Sequence, residues 1–186
     1  MDRPLPSAQA WPIYSASPIP YYADSQIPKA LEMSDIELII HDYVEATKRA
    51  HQAGFDMLEL HCAHGYLLAS FLSPLTNHRT DSFGGSAEAR AQLPLMVFKA
   101  VREAWPLDKP ISVRVSASDW EENGLSNSDF ITVAELFKNA GCDLLNTSTG
   151  QTTPNARPEY GRLFQTPFAE RARLEASIPT IVSGGI

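Results

Sequence analysis

Cysteine is scarce in this 186-residue chain, positive charge is in deficit, and no long apolar run occurs. Two cysteines, Cys62 and Cys142, are too few for a disulfide scaffold, and a cluster held by this chain's thiolates alone would lack ligands. The net charge of -7 argues against a non-specific binder of nucleic acid or anionic membrane, since both need basic surface. Without a stretch of about 18 uninterrupted apolar residues, nothing is expected to span a bilayer. The first twenty residues hold five prolines and lack the apolar stretch of a secretory signal. The default compartment is therefore cytoplasmic.

What is present is an ordinary globular composition, 44% hydrophobic and 20% charged, at a single-domain length that can bury a sizeable core. Residues 1–28 are proline-rich with no helical or strand period, which predicts an irregular surface loop. Residues 29–186 then alternate helix and strand. Ser34-x-x-Glu37 reads as a capping box, and Ile36, Ile39, Ile40, Tyr43, Val44 and Thr47 recur at helical spacing until Gly54. A second helix is expected from Ser86 to about Ala104, with Pro94 predicting a kink or a later start. Ser126 caps a third, which Gly141 ends; Thr166-Pro167 opens a fourth that runs to about Ala176. Strands are expected near 56–61, 111–116, 143–148 and 179–183. Helices alternating with short apolar strands mean parallel βαβ units, in a doubly wound sheet or a (β/α)8 barrel. Polar and glycine residues collect after the strands, where active sites of both folds lie.

The stretch ELHCAHGYLLASFLSPLTNHRTDSFGG, residues 59–85, places His61, His64 and Tyr66 at the end of the first strand. Three readings are open. His61, Cys62 and His64 are competent zinc ligands, but a strand through Cys62 turns His61 and Cys62 to opposite faces, and no third ligand is obvious. A metal-dependent hydrolase would need Asp119 or another carboxylate. The second reading is a pair of core or loop histidines satisfied by backbone. In the third, both imidazoles aim donors at one substrate oxygen, with the phenol as a proton donor. Arg114 stands inside the apolar run ISVRVSA, where a guanidinium is expensive unless paired. It is expected to meet either a barrel-lining carboxylate or the polar edge of a cofactor. Ser183-Gly184-Gly185 could offer backbone N–H groups to a phosphate.

Taken together, LELHCAHGYLLASFLSPLTNHRTDSFGG, VRVSASDW and STGQTTPNARPEYG resemble the Old Yellow Enzyme family of FMN-dependent ene-reductases on a (β/α)8 TIM barrel. The branch most similar is the oxidoreductase part of salicylyl-CoA 5-hydroxylase and aminobenzoyl-CoA monooxygenase/reductase proteins. The resemblance implies that His61 and His64 hold a carbonyl or phenolate oxygen, with Tyr66 beside them, and that Arg114 contacts the flavin ring. The implied activity is hydride transfer from reduced FMN to an activated alkene, with NAD(P)H as reductant and the two histidines stabilising an enolate. The sequence departs from the branch at His78, Ser82-Phe83 and Ala89, which are expected to support the loop rather than perform chemistry. Its four strands match barrel strands 4 to 7, whereas a whole barrel takes about 250 residues. The chain is therefore expected to be a fragment, a partial barrel of about four βα units. Two open sheet edges and one apolar face would need a second copy or the missing barrel half to cover them. FMN affinity is expected to be poor, and a flavin-free fragment that serves only assembly is the alternative.

Overall fold

The computed structural model describes residues 5–6 and 8–186. In chain order its elements are β1 (Tyr14–Ser15), β2 (Lys29–Ala30), α1 (Met33–Gln52), β3 (Leu58–Cys62), α2 (Leu67–Leu72) and α3 (Ala87–Arg90). They continue with α4 (Gln92–Ala104), β4 (Ile111–Ser116), α5 (Asn127–Asn139), β5 (Leu144–Ser148), α6 (Thr166–Glu175) and β6 (Thr180–Val182). Strands β3 to β6 lie side by side in sequence order, all parallel.

Register and pleat divide this sheet into two unlike faces. Leu60, Val113 and Leu145 are aligned, and with Cys62, Ile111 and Val115 they form the face buried under the helices. Leu93, Val97 and Phe98 of α4 pack there with Phe130, Val133 and Phe137 of α5, the Phe98 and Phe137 rings meeting edge to face at 5.5 Å. On the other face His61, Arg114 and Asn146 are aligned. Sequential parallel strands with their helices on one side form an arc of a barrel rather than a doubly wound sheet, which has helices on both. The uncovered face is not apolar, contrary to the sequence expectation. Glu59, His61, Ser112, Arg114, Asn146 and Ser148 alternate with the core residues and occupy it. Glu59 accepts hydrogen bonds there from Ser112 Oγ (3.1 Å) and Asn146 Nδ2 (2.9 Å).

Most element ends follow from local chemistry. Gly54 and Gly141, at φ 84° and 96°, take the left-handed residue after α1 and α5. Ser126 Oγ accepts from Asp129 N (3.1 Å), and Asp129 in turn accepts from Ser126 N, so the cap of α5 is as expected. The single helix expected from Ser86 to Ala104 is broken at Ala91. Pro94 accounts for this: it has no N–H for the carbonyl four residues back, on Arg90, where α3 ends.

Four expectations need correction. α1 begins one residue before Ser34, with Glu32 as its cap, because the Asp35 carboxylate accepts from Glu32 N (2.9 Å) and pairs with Lys29 (2.9 Å); Ser34 plays no capping part. In helix α6 the N-cap position falls to Gln165 and Thr166 is already helical; the Gln165 side chain makes no capping bond, its Nε2 donating instead to Ser183 O (2.7 Å). The short helix α2 was not expected at all. Its sequence LLASFL is apolar except for Ser70 and carries no helical period. Finally, the proline-rich stretch is not wholly irregular: Tyr14–Ser15 pair in parallel with Lys29–Ala30. Buried Ala16 and Ser17 tie it down, Ala16 N donating to Ser70 Oγ (3.0 Å) and His78 N to Ser17 Oγ (2.9 Å).

The long 73–86 connection is clasped from within. Asn77 Nδ2 donates to Phe71 O and Phe83 O, both at 2.7 Å, and buried Phe83 packs edge-on against Phe71. Arg90 is buried too: its Nε donates to Leu72 O (2.7 Å), another nitrogen to Gly85 O, and Nη2 lies 3.1 Å from Asp129. Because Asp129 is partly solvated, Arg90→Ala is expected to cost about 2 kcal/mol. That corresponds to a fall in Tm of about 4–8 °C for a chain of this size. A thermal melt followed by circular dichroism reads it, and an unchanged Tm would mean the guanidinium only decorates the loop.

Candidate active site

His61 is the fourth residue of β3, so the pleat that buries Leu60 and Cys62 turns its ring to the polar face. Cys62 is only 1% exposed on the opposite side, which separates it from His61 as the alternation predicts. After Ala63 the chain reverses sharply. His64 (φ 62°) and Gly65 (φ 71°) are both left-handed, a conformation that costs a non-glycine residue and therefore needs support. His64 N donates to Ser116 Oγ (3.0 Å), and a Cβ at Gly65 would lie 2.8 Å from Gln151 O. The turn is thus seated on β4 and on the loop after β5.

The consequence is that the two imidazoles and the phenol come together. The His61 ring lies 5.1 Å from that of His64 and 5.4 Å from that of Tyr66, which is exposed at the start of α2. His64 Nε2 is 2.6 Å from Ser148 Oγ at the end of β5. Arg114, beside His61 in register, reaches both Ser148 Oγ and Ser183 Oγ at 3.5 Å. Gly184 and Gly185 follow Ser183 with φ 85° and 69°. They are closely packed, since a Cβ on them would meet Gln165 Nε2 at 2.8 Å and Gly161 O at 2.7 Å. Every predicted site residue therefore lies at the carboxyl end of the arc, and Arg114 links the histidine group to the 183–185 turn.

Charge follows geometry. Burial lowers the His64 pKa to about 4, helped by the Arg114 cation and by His61. Burial and Arg114 also lower that of His61, against the raising effect of Glu59. Both rings are neutral near pH 7, so each presents one N–H donor and one acceptor. The contacts among the described residues supply no further ligand for a metal at His61 and His64. Asp119, the carboxylate a hydrolase would need, is 2% exposed and spends both oxygens on Ser73 Oγ (2.7 Å), Leu125 N (2.8 Å) and Thr152 Oγ1 (2.5 Å). Among the described residues no three of His, Cys, Asp or Glu converge. Arg114 forms no ion pair among the described residues, so the carboxylate expected of a structural arginine is not its partner. Its Nε is buried with no partner. A cation held this way fits the electron-rich edge of a ring such as a flavin's.

Sequence reasoning passed over two residues. Ser148 contacts both His64 and Arg114, and Asn146 is aligned with Arg114 and donates to Glu59; in LLNTS neither stands out, because Leu144 shares their face and Thr147 lies on the core face. A cavity of about 660 Å³ has Gly65 in its wall but none of His61, His64, Tyr66 or Arg114. Trp11, Ile13 and Tyr22 of the proline-rich stretch line it together with Thr152 and Pro154.

Comparison with known proteins places this geometry. An NADPH dehydrogenase of Geobacillus thermodenitrificans is 44% identical over 168 residues, which is 90% of this chain and 48% of that protein. The chain thus spans about half the length of the curated relatives it matches. Among solved structures, a complex of 2-naphthoyl-CoA reductase with 2-naphthoyl-CoA superposes with a TM-score of 0.79 at 27% identity, over 92% of this chain and 27% of that one. Morphinone reductase with tetrahydroNAD gives 0.70 at 28%, over 95% and 50%. The pattern of one family of flavin enzymes matches residues 5–186. With the arc of parallel strands and the histidine and arginine group at its carboxyl end, this shows that the chain belongs to the NADH:flavin oxidoreductase / NADH oxidase family.

Proposed function

We propose that this chain supplies the substrate-holding half of an FMN-dependent NAD(P)H oxidoreductase of ene-reductase type. The carrying observation is the neutral His61–His64 pair beside Tyr66, next to an arginine with a buried, unpartnered Nε. Bound FMN would supply hydride to an activated C=C, itself reduced by NAD(P)H. His61 and His64 donate hydrogen bonds to a carbonyl or phenolate oxygen and stabilise the negative charge that grows there. Being neutral, they do so without giving up a proton, and exposed Tyr66 is placed to deliver one. Arg114 holds the flavin's polar edge, and Ser183, Gly184 and Gly185 form the turn nearest its phosphate.

The substrate is a small molecule with such an oxygen, and its apolar part lies in the cavity walled by Trp11, Ile13 and Tyr22, past Gly65. The free edges of β3 and β6 are covered by further βα units or by a second copy. A groove of about 330 Å³ along β3, lined by Tyr43, Ala50 and Leu58, offers that cover apolar surface. No described helix is long and apolar enough to cross a membrane. Reaction in the cytoplasm agrees with the use of NAD(P)H.

Two titrations test the reading. The purified chain is titrated with FMN by visible absorption, then the complex with a para-substituted phenol. Weak flavin uptake that excess FMN drives to saturation, and a saturable phenol response, are expected. His61→Ala and His64→Ala should each weaken phenol binding about fivefold, the worth of one neutral hydrogen bond. Chain that is folded by circular dichroism yet takes up no flavin would leave the histidine group idle and favour the assembly-only fragment.

A further inference from the structure

We propose that Ser148 is a positioning residue that fixes the tautomer of His64, so that Nδ1 carries the proton and is the ring's only donor. Ser148 Oγ has one proton to give and lone pairs to receive with. Arg114 has only donors, so its Nη2, 3.5 Å away, can interact with Ser148 Oγ only by giving a proton to it. The serine's own proton is then left for His64 Nε2, at 2.6 Å. A neutral ring whose Nε2 accepts must carry its proton on Nδ1.

The surroundings leave the serine few other choices. Ser148 is only 3% exposed, so bulk water does not compete for its hydroxyl. Its place is set by the strand, opposite Ser116 in register, with its carbonyl accepting from Ala117 N at 2.8 Å. Ser116 fixes the backbone of His64 and Ser148 fixes its ring, so the turn is held at two points. Burial, Arg114 and His61 hold the His64 pKa down to about 4, so the ring is neutral and only one of its nitrogens carries a proton.

This inference deepens the proposed function only in saying which nitrogen faces a substrate oxygen; the tautomer itself is measurable without flavin or substrate. Long-range ¹H–¹⁵N NMR of the histidine rings near pH 7 distinguishes Nδ1–H from Nε2–H. In the unaltered chain His64 is expected mostly as Nδ1–H. Ser148→Ala should turn it mostly to Nε2–H, the form a free side chain prefers, while Ser148→Thr, which keeps the hydroxyl, should preserve Nδ1–H. Backbone amide spectra of both variants confirm the fold. Nε2–H as the main form in the unaltered chain would overturn the proposal, which keeps the test decisive even if Ser148→Ala misfolds. So would an unchanged tautomer in a folded Ser148→Ala chain. Nδ1–H in a chain that takes up no FMN would uphold the relay and sink the oxidoreductase reading instead.

Discussion

Arg114→Met is expected to weaken FMN binding about 30-fold while leaving the flavin-free chain as stable as before or slightly more so. The first half follows from loss of a charge-assisted contact worth about 2 kcal/mol. The second half is specific to this environment. In the flavin-free chain Arg114 forms no ion pair among the described residues, has only two long contacts to serine hydroxyls and carries a buried Nε without a partner. A half-buried cation in that state is a burden, and a methionine of similar length fills the space without the desolvation penalty. Removing it should also relieve the two histidines, whose pKa values Arg114 helps to hold down. Opposite signs for ligand affinity and stability are what a residue kept for binding gives. A structural arginine would give the same sign for both. FMN titration by absorbance and a thermal melt of the same preparation decide it, and a large loss of Tm with FMN affinity intact would remove Arg114 from the flavin site.

The sequence made the scaffold legible because core residues on β4 and β5 recur in short β-branched runs between capped helices. It made the His61, His64 and Tyr66 group legible because three polar rings at a strand end are hard to bury without partners. The character of the open face was misread for an instructive reason. In ISVRVS the apolar residues hold the odd places and Ser112, Arg114 and Ser116 the even ones, and LELHC carries the same kind of alternation. Counted as apolar runs these segments look buried on both sides; counted with period two they declare one polar face. Other features lay beyond a local reading. The start of α1 depends on Asp35, paired with Lys29, accepting from Glu32 N, and the bond from Ser148 to His64 spans 84 positions. It exists only because a non-glycine residue is held left-handed by groups on two other strands and their loops.

Asp119→Ala is expected to cost about 4 kcal/mol and to lower Tm by about 8–16 °C, a large effect for a residue that touches neither imidazole. Its two oxygens join three segments: the end of α2 through Ser73, the loop after β4 through Leu125, and the loop after β5 through Thr152. Each bond is charge-assisted and buried, and truncation strands two hydroxyls and a backbone N–H where water has little access. Asp119→Asn separates shape from charge. Its amide oxygen can still accept from Ser73 and Leu125, which share one carboxylate oxygen, and Thr152 can rotate to accept from the amide nitrogen. That variant should lose only about 1 kcal/mol. The damage in Asp119→Ala should reach the site through one contact, the close approach of Gln151 and Thr152 to Gly65 beneath the His64 turn. Phenol affinity of the flavin-loaded chain should therefore fall in Asp119→Ala and be largely restored in Asp119→Asn. Equal melting losses in the two variants would show that the charge, rather than the three-way junction, holds these loops together.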